Sequence, residues 1–183
     1  MPTNTNILLI RHAEKPDDDT DPTLAVPGQE RAQAYVVYFQ NYAIGSKPLK
    51  LDSIFVAENS KKSHRPKLTV TPLAEALGLK PNHDYKDKDV DGAAKAILAL
   101  SGDILVCWHH EEILPLAEQL GAPTAELPPK WPGDVFGWLL QLSFDASGAL
   151  TVSVVDQKLM YDDYGKEPLA VLEPATPPPT GPS

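Results

Sequence analysis

The sequence predicts a three-layer α/β/α sandwich with a mainly parallel central sheet and a hairpin at its C-terminal edge. Short, wholly apolar runs alternate along the chain with segments whose apolar residues recur at helical spacing. This alternation is typical of domains in which parallel strands are buried between two layers of helices. Near the C-terminus, two further apolar runs flank a connection of turn-forming residues, which favours an antiparallel hairpin.

The first elements along the chain are a strand, a loop and a helix. Residues 7–10 are four apolar residues followed at once by charge, a pattern typical of a fully buried strand. Residues 16–27 are rich in Asp, Thr and Pro and predict a loop. A helix is expected from Gly28 onwards, because the apolar residues after it recur at helical spacing.

The central part of the chain repeats the alternation. Residues 52–57 predict a second strand and residues 66–77 a second helix. A third helix is expected over 91–100, followed by a third buried strand over 103–108. The apolar residues of 113–120 then indicate another helix. The order of these elements is that of parallel strands joined by helical crossovers.

The C-terminal part completes one domain. Residues 139–144 and 150–155 predict the two strands of the edge hairpin. We expect a single domain over 1–172, a length that can bury a core without disulfides or metals. Residues 173–183 are almost entirely Pro, Thr, Ala and Gly, a composition that predicts a disordered tail.

Charge and composition limit the classes of partner. The chain has 183 residues, of which 42% are hydrophobic and 22% charged, as in ordinary globular proteins. Its formal net charge of −9 repels phosphate backbones and anionic lipid, so nucleic acid and membrane surfaces are not expected as partners. A site for phosphate in such a protein must make its own local positive field.

Cysteine usage and the apolar runs bear on the compartment. Cys107 is the single cysteine and lies in an apolar run, which favours a buried structural thiol. No apolar run is long enough for a membrane span, and the first residues lack the basic start of a signal peptide. The expected location is the cytoplasm.

Polar residues follow each of the three predicted central strands. Because the carboxyl ends of parallel strands meet at one edge of the sheet, these residues should converge there, where α/β sheets bind ligands. They are Arg11 and His12 after the first strand, His64 and Arg65 after the second, and His109 and His110 after the third.

Arginine and histidine in such a group suit phosphate chemistry. A guanidinium presents a planar fork of donors that matches phosphate oxygens. A neutral imidazole with a free lone pair can attack phosphorus, and neighbouring arginines lower its pKa. Two alternatives stay open at this point: the arginines could pair with surface carboxylates, and His12 could be a structural histidine.

The stretch 8–16, which contains Arg11-His12-Ala13, resembles the Arg-His-Gly/Ala signature of the histidine phosphatase superfamily, also called phosphoglycerate-mutase-like. Three further stretches resemble the family in the expected order. They are residues 24–32, residues 65–78 beginning with Arg65, and residues 104–109 ending in His109. The similarity covers residues 6 to 121 of the chain.

The resemblance implies a metal-independent phosphatase that hydrolyses a phosphomonoester or a phosphoramidate through a phosphohistidine on His12. Arg11, Arg65 and His109 would hold the phosphoryl oxygens, with His109 also in a catalytic role. No metal or other cofactor is implied, and the substrate would be a small phosphorylated molecule or a phosphoprotein. For Arg31, on the first helix, a structural ion pair is the favoured interpretation.

The general acid that protonates the leaving group is not identified by the resemblance. Glu14, Glu111, Glu112 and the acidic stretch 84–91 are all candidates. The approach to Arg65 departs from the usual Ser-Pro-containing version of the family, and either Ser63 or His64 is expected to contact phosphate there.

The expected pocket has further walls. His110 is expected to form a pocket wall or to contact His109, and Trp131 is the best candidate for the pocket rim. Substrate selection is expected from the loops 16–27 and 123–134, because the chain has no room for a large cap domain. Lys61 and Lys62 are expected to be solvated.

Two other functions fit the same residues. The chain could be a non-catalytic protein that binds phosphorylated ligands or acts as a scaffold, since a fold does not fix a function. It could also be a phosphomutase, which needs a pocket that keeps water from the phosphorylated intermediate. A metal site at residues 109–112 is disfavoured, because adjacent histidines point in different directions and no spaced His or Cys pair accompanies them.

Overall fold

The computed structural model describes residues 2–165 of the chain. The elements in chain order are β1 (Thr5–Arg11), α1 (Val26–Asn41), β2 (Ala43–Ile44), β3 (Lys47–Pro48), β4 (Leu51–Val56), α2 (Arg65–Leu77), α3 (Val90–Leu98), β5 (Gly102–Trp108), α4 (His110–Gln119), β6 (Trp138–Phe144) and β7 (Leu150–Asp156). Two short 3-10 turns lie at Thr124–Glu126 and Tyr161–Asp163.

Five strands form the central sheet in the order β4-β5-β1-β6-β7. The strands β4, β5 and β1 are mutually parallel, whereas β6 is antiparallel to β1 and β7 is antiparallel to β6. The predicted three-layer fold is confirmed, including the edge hairpin, which β6 and β7 form. Strand β1 is the middle strand, so its end lies at the centre of the sheet edge.

The two faces of the sheet pack against different helices. Side chains alternate between the faces of a strand, so β1 contributes to both cores. Leu8 and Ile10 pack with residues of α1 and α2 in one core. Ile7 and Leu9 pack with residues of α3 and α4 in the other. This double burial is why residues 7–10 are apolar without alternation.

Several boundaries differ from the expected ones. Helix α1 begins at Val26 and takes in Pro27, which suits the first turn of a helix, so the preceding loop ends earlier than predicted. Helix α4 begins at His110 rather than at residue 113. The small hairpin of β2 and β3 was not predicted. The predicted tail over 173–183 lies outside the described residues.

Cys107 is fully buried in the core beneath α1 and α2, as expected. Burial raises the pKa of its thiol, which keeps the sulfur protonated and unreactive. Among the helices of residues 2–165, none has the length and apolar character needed to cross a bilayer.

Candidate active site

Three chain segments meet at the carboxyl end of the parallel strands. His12 follows β1, the turn from Ser60 to Arg65 follows β4, and His109 follows β5. The backbone amide of His12 donates to the carbonyl of Trp108 at 3.0 Å, which continues the β1–β5 pairing beyond the strand ends. This pairing brings the two histidines side by side.

His12 is 3% exposed, and its ring orientation is determined by the backbone. Its Nδ1 lies 2.8 Å from the carbonyl oxygen of Ala13. A carbonyl only accepts, so Nδ1 carries the proton and, in the neutral ring, the lone pair is on Nε2. The amide of Ala13 in turn donates to Oγ1 of buried Thr69 at 2.8 Å. Helix α2 therefore holds the residue that orients His12.

The surroundings of His12 favour its neutral form. Burial is the largest effect and holds the pKa of His12 well below its ordinary value. The hydrogen bond to Ala13 acts in the opposite direction, while the charge of Arg11, then His109 and Arg65, lower the pKa further. At neutral pH the ring is therefore uncharged, the form in which an imidazole is a nucleophile.

His109 lies directly beside His12. The two ring centroids are 5.1 Å apart, with the planes inclined at 68°. His109 is the residue before the first turn of α4, and its carbonyl accepts the amide of Ile113 at 3.1 Å. Burial, opposed by Asp87 and assisted by Arg65, lowers the pKa of His109. Both imidazoles are thus neutral near pH 7.

A cavity of about 520 Å³ opens beside His109 and Arg65. Arg65 is 7% exposed and is held by the loop after β1, since its Nε donates to the carbonyl of Thr23 at 3.0 Å and its second guanidinium nitrogen donates to that of Asp21 at 2.5 Å. The other residues that line the cavity are Glu58, Asn59, Ser60, Lys62, Ser63, Lys86, Asp87 and Glu111. The volume suits a small molecule or a modified side chain.

Arg11 lies beneath the segment that precedes β6. One terminal nitrogen of its guanidinium donates to the carbonyls of Gly133 at 2.7 Å and Val135 at 3.0 Å. The ring of Phe136 lies 3.8 Å from the guanidinium carbon. Burial lowers the pKa of Arg11 to about 10, which still leaves it charged at neutral pH. Its Nε is buried without a hydrogen-bond partner among residues 2–165.

Of the predicted acid candidates, the structure brings Glu111 and Asp87 to the cavity. Asp87 is positioned through its backbone, because its carbonyl accepts the indole N–H of Trp108 at 2.8 Å. Glu58, which the sequence did not single out, also lines the cavity; as the second residue after β4 it could have been found by the same rule of strand ends. Glu112 is not among the lining residues.

Glu14 is bound away from this cavity. Both of its carboxylate oxygens accept hydrogen bonds from the fully buried Arg31, the shortest at 2.6 Å. Arg31 also binds Asp163, at 2.6 and 3.0 Å. The structural ion pair expected for Arg31 is therefore present, and Glu14 is one of its two partners.

Of the other residues expected near the site, some line the cavity and others do not. Ser63 lines the cavity, whereas His64, the residue before α2, does not. Lys62 is exposed, as expected, and also lines the cavity. His110 lies near Gly133, since a Cβ built on that glycine would be 3.7 Å from its Nε2. It therefore faces the segment over Arg11 and also acts electrostatically on His109.

The expectation that Trp131 forms the pocket rim is wrong. Its side chain is 5% exposed and belongs to the core beneath α3 and α4. The ring packs 5.6 Å from that of Trp138, and its N–H donates to the carbonyl of Val135 at 3.0 Å. The flanking lysine and prolines suggested an exposed loop, but the indole is turned inward, where its apolar area is buried.

Within the described residues, no group of three or more His, Cys, Asp or Glu side chains is placed to hold a metal ion.

Phe136, which contacts both Arg11 and His12, was not predicted from the sequence. It lies in an irregular segment, where no periodicity marks an inward-facing side chain.

No protein-family model and no curated protein matches the chain. Several solved structures, however, have a similar fold. The protein histidine phosphatase SixA, solved with tungstate, is 17% identical, covers 84% of this chain and 97% of its own, and has a TM-score of 0.55. Phosphoglycerate mutase from Plasmodium falciparum is 16% identical, with coverage of 87% and 96% and a TM-score of 0.55.

A third structure, a mycobacterial glucosyl-3-phosphoglycerate phosphatase with inorganic phosphate, is 15% identical, covers 82% of this chain and 95% of its own, and has a TM-score of 0.51. At these identities the likeness concerns the fold. It agrees with the fold that the Arg11-His12-Ala13 stretch implied. The chain therefore shares the fold of these solved phosphatases and this mutase, with His12 and His109 side by side at the carboxyl edge of its sheet.

Proposed function

We propose that this protein is a phosphatase that passes a phosphoryl group from its substrate to Nε2 of His12 and then to water. The observation that carries the proposal is the state of His12. Burial favours its neutral ring, the carbonyl of Ala13 holds the Nδ1 proton and so leaves the lone pair on Nε2, and the ring of His109 lies beside it. An imidazole prepared in this way is a nucleophile rather than a structural donor.

In the first step the lone pair of His12 Nε2 attacks phosphorus. The bond from phosphorus to the leaving oxygen or nitrogen breaks, and its electron pair goes to the leaving atom. A carboxylic acid of the cavity gives that atom a proton; Glu58, Asp87 and Glu111 are the candidates that line the cavity. His12 keeps its Nδ1 proton and becomes a phosphorylated imidazolium.

In the second step water attacks phosphorus. The carboxylate that gave up its proton now takes one from the water, and the bond from phosphorus to Nε2 breaks with return of the electron pair to His12. The products are inorganic phosphate and the neutral histidine. The fold's likeness to named phosphatases, one of them solved with inorganic phosphate, supports this reaction class.

Positive charge around the phosphoryl group comes from the protein itself. Arg65 lines the cavity, Arg11 directly precedes His12 in the chain, and neutral His109 can donate one hydrogen bond to a phosphoryl oxygen. These groups stabilise the charge that develops in transfer, a role that metal ions have in other phosphatases. We therefore propose that the reaction requires no metal.

The proposed substrate is a small phosphomonoester or phosphoramidate, or a phosphorylated side chain that reaches into the cavity. The cavity of about 520 Å³ is in the range of small-molecule sites. The named substrates of structural neighbours range from glucosyl-3-phosphoglycerate to phosphorylated protein, so the fold does not narrow the choice further.

The test is hydrolysis of p-nitrophenyl phosphate from about pH 4 to pH 8 in excess EDTA, a range that spans the titration of histidine. His12→Ala should lower kcat by on the order of 10⁴-fold or more, since it removes the nucleophile. His83→Ala is the matched control, because His83 is an exposed histidine outside the cavity, and it should leave kcat unchanged.

A rapid quench into alkali should also trap a phosphorylated form of the wild-type protein that acid destroys, as expected for phosphohistidine. Retained turnover in His12→Ala would refute the role of His12. A wild-type protein that hydrolyses no phosphomonoester or phosphoramidate, yet is stabilised against heat by inorganic phosphate, would instead be a phospho-ligand binding protein.

A further inference from the structure

The segment 132–137 packs over Arg11 and beside His12. Its carbonyls at Gly133 and Val135 accept hydrogen bonds from Arg11, and its Phe136 ring stacks 3.8 Å from the guanidinium carbon. The same ring lies 6.2 Å, centroid to centroid, from the ring of His12. Phe136 thus contacts the charge beside the nucleophile as well as the nucleophile itself.

The segment is fixed from behind by Asp163. A Cβ built on Gly137 would lie 2.5 Å from the carboxyl carbon of Asp163, so the backbone passes directly against that carboxylate. The carbonyl of Gly137 also accepts the amide of Gln157 at 2.9 Å. The residue after Phe136 therefore has little freedom to move while Asp163 stays in place.

Asp163 is itself held by Arg31. The carboxylate is 4% exposed and receives two hydrogen bonds from the Arg31 guanidinium and one from each of two backbone amides, at 2.6 to 3.0 Å. Burial by itself would raise the pKa of Asp163, but the hydrogen bonds and charge of Arg31 outweigh burial and lower it. The pair is therefore an ionised, fully bonded contact in the interior.

The other side of the same guanidinium binds Glu14, two residues after His12. Arg31 thus binds both Glu14, in the loop that orients His12, and Asp163, which packs against Gly137 at the end of the covering segment. Arg31 and Asp163 are 132 residues apart in sequence.

We propose that Phe136 is a positioning residue for His12, which it covers and keeps out of water, and that the Arg31–Asp163 ion pair holds Phe136 in place. The role assigned to His12 rests on the proposed function. Substrate then reaches the nucleophile from the side of His109, where the cavity lies. Removal of the Phe136 ring should let water reach His12 without removing any charge.

Entry of water at His12 can be measured as a rise in the pKa of that histidine, because burial is the main cause of its low pKa. The charged and titratable groups that act on His12 are unchanged in a Phe136 variant. The groups that act on His12 directly are Arg11 at the end of β1, Arg65 at the start of α2 and His109 before α4. The groups that act on Arg11 are Glu14, Asp134, Glu111 and Arg31.

The experiment is an NMR titration of the imidazole C–H signals in the full chain. The chain has five histidines, and the signal that is missing in His12→Asn identifies His12. In Phe136→Ala the midpoint of His12 should rise toward the ordinary value, and the acidic limb of kcat/KM should move to higher pH with it. We expect kcat/KM at its optimum to fall about 10-fold.

Phe136→Leu keeps apolar cover and should shift the midpoint in the same direction by less, which also provides a reading if the alanine variant fails to fold. Asp163→Asn keeps the side-chain shape but removes the ion pair, and should raise the midpoint as well. Tyr42→Leu is the control. Tyr42 is a half-buried aromatic residue directly after the C-terminal end of α1, and its substitution should leave the titration midpoint of His12 unchanged.

An unchanged His12 midpoint in a folded Phe136→Ala protein would overturn the inference. A shift in that variant with none in Asp163→Asn would overturn the part assigned to the ion pair. Since the titration requires no turnover, failure of the proposed function would be detected separately, as activity that survives in His12→Ala.

Discussion

The chemistry proposed for His12 depends on which ring nitrogen carries the proton and on how readily the ring takes up a second one. The carbonyl of Ala13 decides the first point and burial decides the second. His109 and His110 are also shifted downward by burial, although they are less enclosed. The site therefore contains three imidazoles that resist protonation in the folded state.

This arrangement predicts that stability falls as the solution becomes acidic. The pKa of His12 is depressed in the folded chain, so the unfolded chain takes up its proton first as pH falls below about 6.5. The stabilising contribution is present above that pH and is lost as pH falls toward the folded pKa. Each such group adds a slope of up to about 1.4 kcal/mol per pH unit to the free energy of unfolding.

Urea unfolding at several pH values between about 7 and 5 tests this expectation. His12→Asn should make the pH dependence shallower, whatever it does to stability at pH 7. Equal slopes in wild type and His12→Asn would contradict the idea that His12 is held neutral. Asp163, also shifted downward, titrates at lower pH and lies outside this window.

At the scale of elements, the position of helix α1 determines where the loop after β1 can lie. Gly28 in the first turn of α1 packs against the backbone of Glu14, where a Cβ would lie 2.5 Å from the carbonyl oxygen and 2.9 Å from the amide nitrogen. The carbonyl of Glu14 also accepts the amide of Ala25 at 3.0 Å. The helix and the loop thus meet backbone to backbone, two residues from His12.

Gly28→Ala should therefore be costly although alanine is the better helix former. The added methyl group meets backbone, which cannot rotate away, so we expect a loss of about 1–3 kcal/mol in the free energy of unfolding and a lower kcat. Glu30→Ala is the control, because Glu30 is exposed near the start of the same helix and lies outside the site. Similar effects of the two substitutions would show that the close approach of α1 is unimportant.

At the scale of the whole molecule, the charge of the cavity differs from the strongly acidic chain around it. The chain carries a formal net charge of −9. The cavity, in contrast, pairs three cationic side chains with three carboxylates: Arg65, Lys62 and Lys86 against Glu58, Asp87 and Glu111. A bound phosphoryl group would be neutralised by the cationic side chains of the cavity. A second anionic group on the substrate would then be repelled by the three carboxylates.

This balance predicts a preference for substrates with one anionic group. Glycerol 3-phosphate should be hydrolysed with a kcat/KM about 5-fold higher than 3-phosphoglycerate, which adds a carboxylate and so about 1 kcal/mol of repulsion at a solvated site. The difference should narrow at high salt, which screens the charges. A preference for 3-phosphoglycerate would contradict this prediction and favour a mutase-like pocket.

The sequence was sufficient to locate those strands and helices that have a clear local pattern of apolar residues. The strand predicted over 103–108 matches β5 within one residue, because the apolar run 104–108 is typical of a strand buried on both faces. The sequence was less informative for α4, because the first turn of this helix consists of His110, Glu111 and Glu112 and shows no apolar periodicity. Arg65 and His109 were identified because strand ends converge in a parallel sheet.

The remaining features depend on contacts between residues far apart in the chain. The sequence alone determined the fold class and the residues that follow each central strand, since both come from local periodicity and from the direction of parallel strands. Only the tertiary structure decided that Phe136 covers Arg11 and that Asp163 binds Arg31. Such pairings depend on how the layers pack, and no local pattern of side chains records which distant residue each one meets.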